Sequence, residues 1–253
     1  ADTILKNELS RKLAKVTIQC IKERAEKEVL SFFEDQTLPP DSDVTSCGYA
    51  LLFETNSISR KIAERALDKI LRYRDADGLI QVWLSDEWAS QNKPSRLDYV
   101  VATNVLYLAY LLDREGEVQK TEKWIMEILN SNNWLVGSRS YFSPEAFLYF
   151  LNRLRRFPKL DRKLKDVLRD YTSQRIGKTT YPLDLAMRII LSDSLGMENA
   201  DEIQKLIRIQ NEDGSWPADA LYREGPKKIL YGVYYGSKSL TTAFAMKALK
   251  ENV

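Results

Sequence analysis

The sequence predicts an all-α fold, an α/α toroid of five to six helix hairpins with inner and outer helical rings. Three observations carry that expectation. Segments with one polar face alternate with segments that are apolar almost all round; the apolar members start alike; and the turns ahead of them share glycine and tryptophan. An amphipathic helix keeps one side in water, whereas a helix with no polar face is covered on all sides. Alternation of the two kinds therefore describes an outer layer around an inner one.

In chain order, the first segment places Leu9, Leu13, Val16, Ile21, Ala25, Val29 and Phe33 at spacings that mostly fit one helix face. Lys12, Lys15, Lys22, Glu26 and Lys27 lie opposite. The stretch PDSDVTS, Pro40 to Ser46, then leads into the apolar run Tyr49 to Phe53. Residues from about Ser59 to Tyr73 and from Glu115 to Leu129 repeat the amphipathic pattern, as do Asp161 to Tyr171 and Ala200 to Ile209. Between them, Tyr99 to Leu108, Leu183 to Leu191 and Leu240 to Leu249 are apolar nearly all round, and Ala146 to Leu154 less cleanly so.

The apolar members begin PDSDVTS, PSRLDYVVAT, SPEAFLYF, YPLDLAMR and GSKSLTTAFA, four of them with proline nearby, which suits a first helical turn. Aligning Asp43, Asp98, Glu145, Asp184 and Ser239 gives a repeat of roughly 40–55 residues, the spacing of stacked helix hairpins. The outer-to-inner turns are Asp75-Ala76-Asp77-Gly78 followed by Trp83 and Trp88, Asn132-Asn133-Trp134, and Gln210 to Trp216. Glycine there permits the positive φ that closes a helix. With no low-complexity stretch or linker, residues 1–253 read as one domain.

The 253 residues are 44% hydrophobic and 29% charged, and 38 Lys+Arg against 36 Asp+Glu leave +2, no electrostatic basis for nucleic-acid binding. Histidine is absent, which excludes Ser-His-Asp and Cys-His mechanisms and argues against a zinc centre. Two cysteines, Cys20 and Cys47, form no disulfide framework and suit a reducing, cytoplasmic setting. The start, ADTILKNELSRKLAK, shows no signal peptide. The longest apolar run, Tyr99 to Leu112, is too short to span a bilayer, which leaves peripheral membrane contact open. The basic pieces Arg153 to Arg156 and Lys227-Lys228 read as solvated surface.

Two carboxylates one residue apart, Asp41 and Asp43, open the first apolar helix. One reading is capping: a side-chain oxygen accepts from free N–H groups at the positive end of the helix dipole, an environment that favours the anion. The other is a proton donor, which needs the neutral acid. Burial and a second nearby carboxylate both push in that direction. Asp98 and Asp184 occupy equivalent starts and read first as caps. With 13 Tyr, 8 Phe and 5 Trp, the chain has π faces to line a dry chamber; Tyr49, Tyr99, Tyr107, Phe142, Tyr181 and Phe244 lie at or near inner-helix starts.

At Gln210 to Trp216, QNEDGSW resembles the QW repeat of squalene-hopene cyclases, with Gln210, Gly214 and Trp216 in register. PDSDVTS resembles the Asp-x-Asp-Asp-Thr-Ala-like motif of class II terpene cyclases: Asp41 matches its first aspartate, Asp43 its central one, and Val44 replaces the last. The chain is thus similar to the terpenoid cyclase and protein prenyltransferase toroids. The missing histidine argues against the zinc-binding prenyltransferase branch, and no DDxxD-type metal motif appears. The resemblance implies a metal-independent enzyme without cofactor that cyclises a linear isoprenoid or prenyl diphosphate by protonating an alkene or epoxide. Asp43 would be the acid, Asp41 its tuning partner, and Asp98 or Asp184 candidates across the chamber. The family acid often has a histidine partner, so a different donor must tune Asp43 here. A second toroid domain could act beside this one. Two other readings stand: a carbohydrate-active toroid using Asp98 and Asp184, and a non-catalytic toroid that binds a lipid or a protein.

Overall fold

A computed structural model describes residues 8–25, 28–33, 38–86, 97–224 and 232–250. Trp88, Glu26, Lys27, Lys227 and Lys228 lie outside the described residues. The chain forms two compact units, Ala1–Asn130 and Ser131–Val253.

In the first unit, α1 (Glu8–Arg24), α2 (Ser42–Glu54), α3 (Arg60–Arg72), α4 (Tyr99–Leu111) and α5 (Gln119–Ser131) follow the expected alternation. α4 is the apolar extreme, with every residue from Tyr99 to Tyr110 buried. α2 packs on it more extensively than on any other element. α3 buries one stripe, Ala63, Ala66, Leu67, Ile70 and Leu71, and turns Lys69 and Arg72 outward. Each fully buried Leu or Ile of this kind contributes about 1.5–3 kcal/mol.

The first helix was expected to run on to Phe33 but ends at Arg24. Glu28 turns to a φ of 64°, and the backbone of Leu30 is taken by the start of α2. Its N–H donates to Thr45 Oγ1 at 2.9 Å, and its carbonyl accepts from Asp41 N at 3.1 Å. Gly48 leaves room for the Leu30 side chain, since a Cβ there would stand 2.5 Å from Leu30 Cδ1. The segment from Glu115 likewise opens as a short 3₁₀ turn, Glu115–Glu117, before α5 begins.

The second unit holds α6 (Pro144–Leu154), α7 (Pro158–Arg175), α8 (Pro182–Ser194), α9 (Ala200–Arg208), an antiparallel pair β1 (Asp219–Glu224) and β2 (Val233–Ser237), and α10 (Lys238–Lys250). α8 is the covered helix, packed by α6, α7, α9, α10 and β1 and buried from Leu183 to Ser192. α7 buries Leu160, Leu164, Leu168 and Thr172, one stripe at intervals of four. Trp134, on a 3₁₀ turn at Asn133–Val136, is fully buried against Phe147 and Tyr171.

Two features of this unit depart from expectation. The hairpin was not foreseen; it carries an irregularity between Ala220 and Tyr222, and Arg223 anchors it by donating to the carbonyls of Ser138, Arg139 and Ser140. α10 was expected to be covered on all sides, yet it buries only Thr241, Ala245 and Ala248 and leaves Met246 exposed. Small residues at that spacing form one contact stripe rather than a full surround.

The turn at Gln210 closes on itself. Gln210 Nε2 donates to the Gly214 carbonyl at 2.8 Å, Gly214 has a φ of 78°, and Trp216 Nε1 donates to the Leu206 carbonyl at 2.8 Å. The indole joins a core of Leu185, Ala186, Ile189, Leu206, Ala245 and Ala248.

Candidate active site

The start of α2 is gripped before the helix begins. Pro40 to Ser42 runs extended beside Val82 to Leu84: Ser42 N donates to the Val82 carbonyl at 2.7 Å and Leu84 N to the Pro40 carbonyl at 2.9 Å. The Ser42 hydroxyl adds a bond to the Gln81 carbonyl at 2.6 Å. Asp41 is thus paired across to Trp83, which the turn at Gly78 delivers to this position.

Asp41 is the N-cap of α2, its Oδ1 accepting from Val44 N at 2.7 Å. It is also 4% exposed. Burial pushes its carboxyl up to about 8, the charge of Asp43 adds to the rise, and the N–H groups of Val44 and Asp43 oppose it. Capping and acid chemistry are therefore not exclusive at Asp41. The cap favours the anion, but burial beside a second carboxylate outweighs it.

Asp43, 8% exposed, sits in the first turn of α2. Its Oδ1 accepts from Asn104 Nδ2 at 2.8 Å, and Cys47 Sγ stands 4.0 Å from the same oxygen. Asn104 comes from the middle of α4 and is 2% exposed. An amide N–H can only donate, so when Asp43 is protonated the bond leaves Oδ1 as the carbonyl oxygen and the proton on Oδ2. Asn104 is thus a side-chain donor to Asp43 from outside the PDSDVTS motif. Its position on an apolar helix gave no pairing signal in the sequence.

The other expected residues divide by unit. In the first, Asp98 caps α4, with Oδ1 accepting from Val100 N at 2.9 Å and Val101 N at 3.3 Å. Tyr49 is buried and donates to the Ala25 carbonyl at 2.7 Å; burial and the charge of Glu28 push its phenol up to about 12. Tyr107 donates to Glu54 Oε1 at 2.7 Å, and Tyr99 is buried at the start of α4.

In the second, Asp184 lies in the first turn of α8, whose N-cap is Tyr181, so Asp184 is not a cap. Ser143 Oγ stands 2.6 Å from its Oδ1 and Thr179 Oγ1 3.4 Å from its Oδ2. Burial and the neighbouring Glu145 push it up to about 7. Tyr181 is 64% exposed, Phe142 packs edge-on to Tyr234 at 5.2 Å, and Phe244 packs on Tyr149 at 5.2 Å. Glu145, Arg188 and Glu202, which the sequence presents as ordinary charges on helices, are buried together there.

Among the described residues no group of three or more His, Cys, Asp or Glu side chains is arranged to hold a metal ion. Among them, too, no helix is long and apolar enough to cross a membrane.

Residues 4–112 match the family model described as the sesquiterpene cyclase astC-like C-terminal domain. The chain is 31% identical over 216 residues to drimenol cyclase drtB of Aspergillus calidoustus, a match that covers 84% of this chain and 38% of that protein. Its fold matches that of the type II terpene cyclase MstE from Scytonema with a TM-score of 0.73 and 13% identity, over 98% of this chain and 84% of that one. A protein from Actinoplanes matches with a TM-score of 0.72 and 18% identity, over 97% and 85% of the two chains. MstE has also been solved, as a variant, with geranylgeranyl dihydroxybenzoate bound; that chain matches with a TM-score of 0.69 and 13% identity, over 98% of this chain and 84% of that one.

Proposed function

We propose, for a chain related by sequence and by fold to the type II terpene cyclases, that it cyclises a linear isoprenoid by protonation, with Asp43 as the acid. The observation that carries the reading is the buried Asp41–Asp43 pair at the start of α2, with Asn104 fixing one Asp43 oxygen. Two like charges resist ionising together in a buried place, so the pair keeps a proton at neutral pH and titrates as a unit. Asp41 is the carboxyl pushed up, by burial first and then by the charge of Asp43. Asp43 delivers, because Asn104 sets the direction of its proton-bearing oxygen.

In the reaction, the π pair of a terminal alkene forms a C–H bond with the Asp43 proton, and the O–H electron pair stays behind as carboxylate. The tertiary cation left on the substrate is attacked by the next double bond, and each attack closes a ring. Loss of a proton from a carbon next to the cation, or capture of water, ends the sequence, and solvent reloads the carboxylate. An epoxide in place of the alkene opens by the same proton transfer. Aromatic faces stabilise cations by roughly 0.5–2 kcal/mol each, the part assigned in the first unit to Tyr49, Tyr99 and Tyr107. Asp98, the N-cap of α4, stays in the proposal as a candidate for the opposite side of the chamber.

The substrate is an apolar polyprene or its diphosphate, supported by the geranylgeranyl compound bound in the MstE variant. The chain spans 38% of drimenol cyclase drtB, so a further domain beside a single domain over residues 1–253 is part of the proposal, as is work in the cytoplasm. Incubation with a panel of linear polyprenes and prenyl diphosphates, followed by mass spectrometry of extracts, tests the reading. A cyclic isomer or hydrate of one substrate is the expected outcome; folded protein that returns every substrate unchanged refutes it.

A further inference from the structure

A buried charge cluster in the second unit takes no part in the reaction above. It gathers the starts of α6, α8, α9 and β1 and the end of α7. Glu145 Oε1 accepts from Arg175 Nε at 2.9 Å and from Arg188 Nη1 at 2.8 Å. Glu202 accepts from Arg188 Nε at 2.8 Å and Nη2 at 2.5 Å, and from Gly177 N at 2.9 Å. Two guanidinium groups thus face two carboxylates, and the charges balance before Asp184 is counted. Glu145, Arg188 and Glu202 are all at most 2% exposed, where an added unpaired charge is costly.

The Ser143 hydroxyl decides the state of Asp184. Its oxygen stands 2.6 Å from Asp184 Oδ1 and 3.1 Å from Glu145 Oε2, and it already accepts from Glu145 N at 3.2 Å. A hydroxyl has one hydrogen to donate. It serves one carboxylate, and the other contact becomes a hydrogen bond only if that carboxyl brings its own proton. Glu145 is ion-paired with both arginines and Asp184 with neither, so the proton is placed on Asp184.

The surrounding elements agree. β1 brings Asp219, which adds negative charge, and α10 meets it with Thr241, whose hydroxyl accepts from Asp219 N at 3.1 Å. Arg188 lowers Asp184 only as the last of the contributions, since it is engaged by Glu145 and Glu202. Burial and the Glu145 charge together hold the Asp184 carboxyl near 7, well above the ordinary 3.8.

We infer that Asp184 is a proton-operated latch in the second unit: as a neutral acid it donates through Ser143 to Glu145 and ties α8 to α6, and as an anion it opposes Glu145 across one hydroxyl and releases the tie. The latch works whether or not the chain turns over a polyprene. An acid whose proton is held more tightly in the folded state stabilises that state below its unfolded pKa. That contribution is lost as pH rises through the folded value, here between about pH 4 and pH 7.

Hydrogen–deuterium exchange of the full chain at about pH 5 and about pH 8, corrected for intrinsic rates, tests the latch. Peptides from the first turns of α6 and α8 are read, with peptides from the middle of α7, in the same unit, as the reference. In the natural protein, protection of α6 and α8 relative to α7 falls roughly tenfold or more at the higher pH. Asp184→Asn, neutral at both pH values, holds that ratio constant. Ser143→Ala breaks the relay without touching Asp184, and it loses the extra protection at low pH. A pH-independent ratio in the natural protein overturns the inference, and so does the full natural pH step in Asp184→Asn. Should Asp184→Asn fail to fold, the Ser143→Ala protein decides: a full pH step there overturns the latch as well.

Discussion

The Asn104 amide donates to Asp43 Oδ1 at 2.8 Å, joining the middle of α4 to the first turn of α2 across 61 residues of sequence. Both partners are buried, so the bond fixes the carboxyl plane and the oxygen that carries the proton. Asn104→Ala should lower kcat by roughly 10²-fold or more, within the range of a positioned acid, while KM changes little. The cost to stability should be about 1–3 kcal/mol, that of leaving a buried polar partner unmet. Steady-state product formation and urea midpoints check both numbers. An unchanged kcat would remove Asn104 from the site.

Asp41 makes stability depend on pH. Its folded-state pKa of about 8 lies above the ordinary 3.8, so the folded chain binds more protons between those values. Stability due to this group is complete below about pH 4, falls as pH rises, and is fully lost above about pH 8. Asp41→Asn keeps the N-cap and removes this part of the slope, with the Asp184 part remaining. Urea midpoints measured across that range should show the natural protein losing more stability than the variant. Equal slopes would mean that Asp41 is ionised throughout.

Trp216 is the tie between α9, α8 and α10, with its indole N–H on the Leu206 carbonyl. Trp216→Ala should destabilise the fold by roughly 3–5 kcal/mol, the usual cost of deleting a large buried aromatic. Coincident urea transitions for parent and variant would contradict this placement.

Turnover should survive chelation. The chain has no histidine and no DDxxD cluster, and the proposed proton comes from a carboxyl. Product yield with and without a chelator measures this. Loss of activity restored by Mg²⁺ or Zn²⁺ would point to a metal-dependent reaction.

The helices and their layers were legible because periodicity reports burial directly: α4 reads as apolar all round and is buried all round. The Asp41–Asp43 pair was legible because both residues sit in one short motif. Asn104 was not, since its partner lies 61 residues away and one polar residue in an apolar helix carries no address. The Glu145–Arg188–Glu202 cluster was missed for a related reason. Charged residues on helices are mostly solvated, and only the tertiary packing of α6, α8 and α9 brings these opposite charges together. Asp184 was read as a cap by analogy with Asp98, but α8 starts at Pro182 with Tyr181 as its N-cap, which puts Asp184 three residues past the cap. The hairpin escaped because Asp219 to Glu224 is short and its pattern does not alternate; every residue in it is half-buried.

The most direct measurement is product formation by Asp43→Asn. Asparagine keeps the size of the side chain and can still accept from a backbone N–H, so the urea midpoint should move by less than about 1 kcal/mol. Incubated with the polyprene that the natural protein cyclises, the variant should form product more slowly by at least roughly 10²–10⁴-fold, because the proposed proton donor is gone. A well-folded Asp43→Asn protein that makes product at the natural rate would contradict the account and leave PDSDVTS as an ordinary helix start.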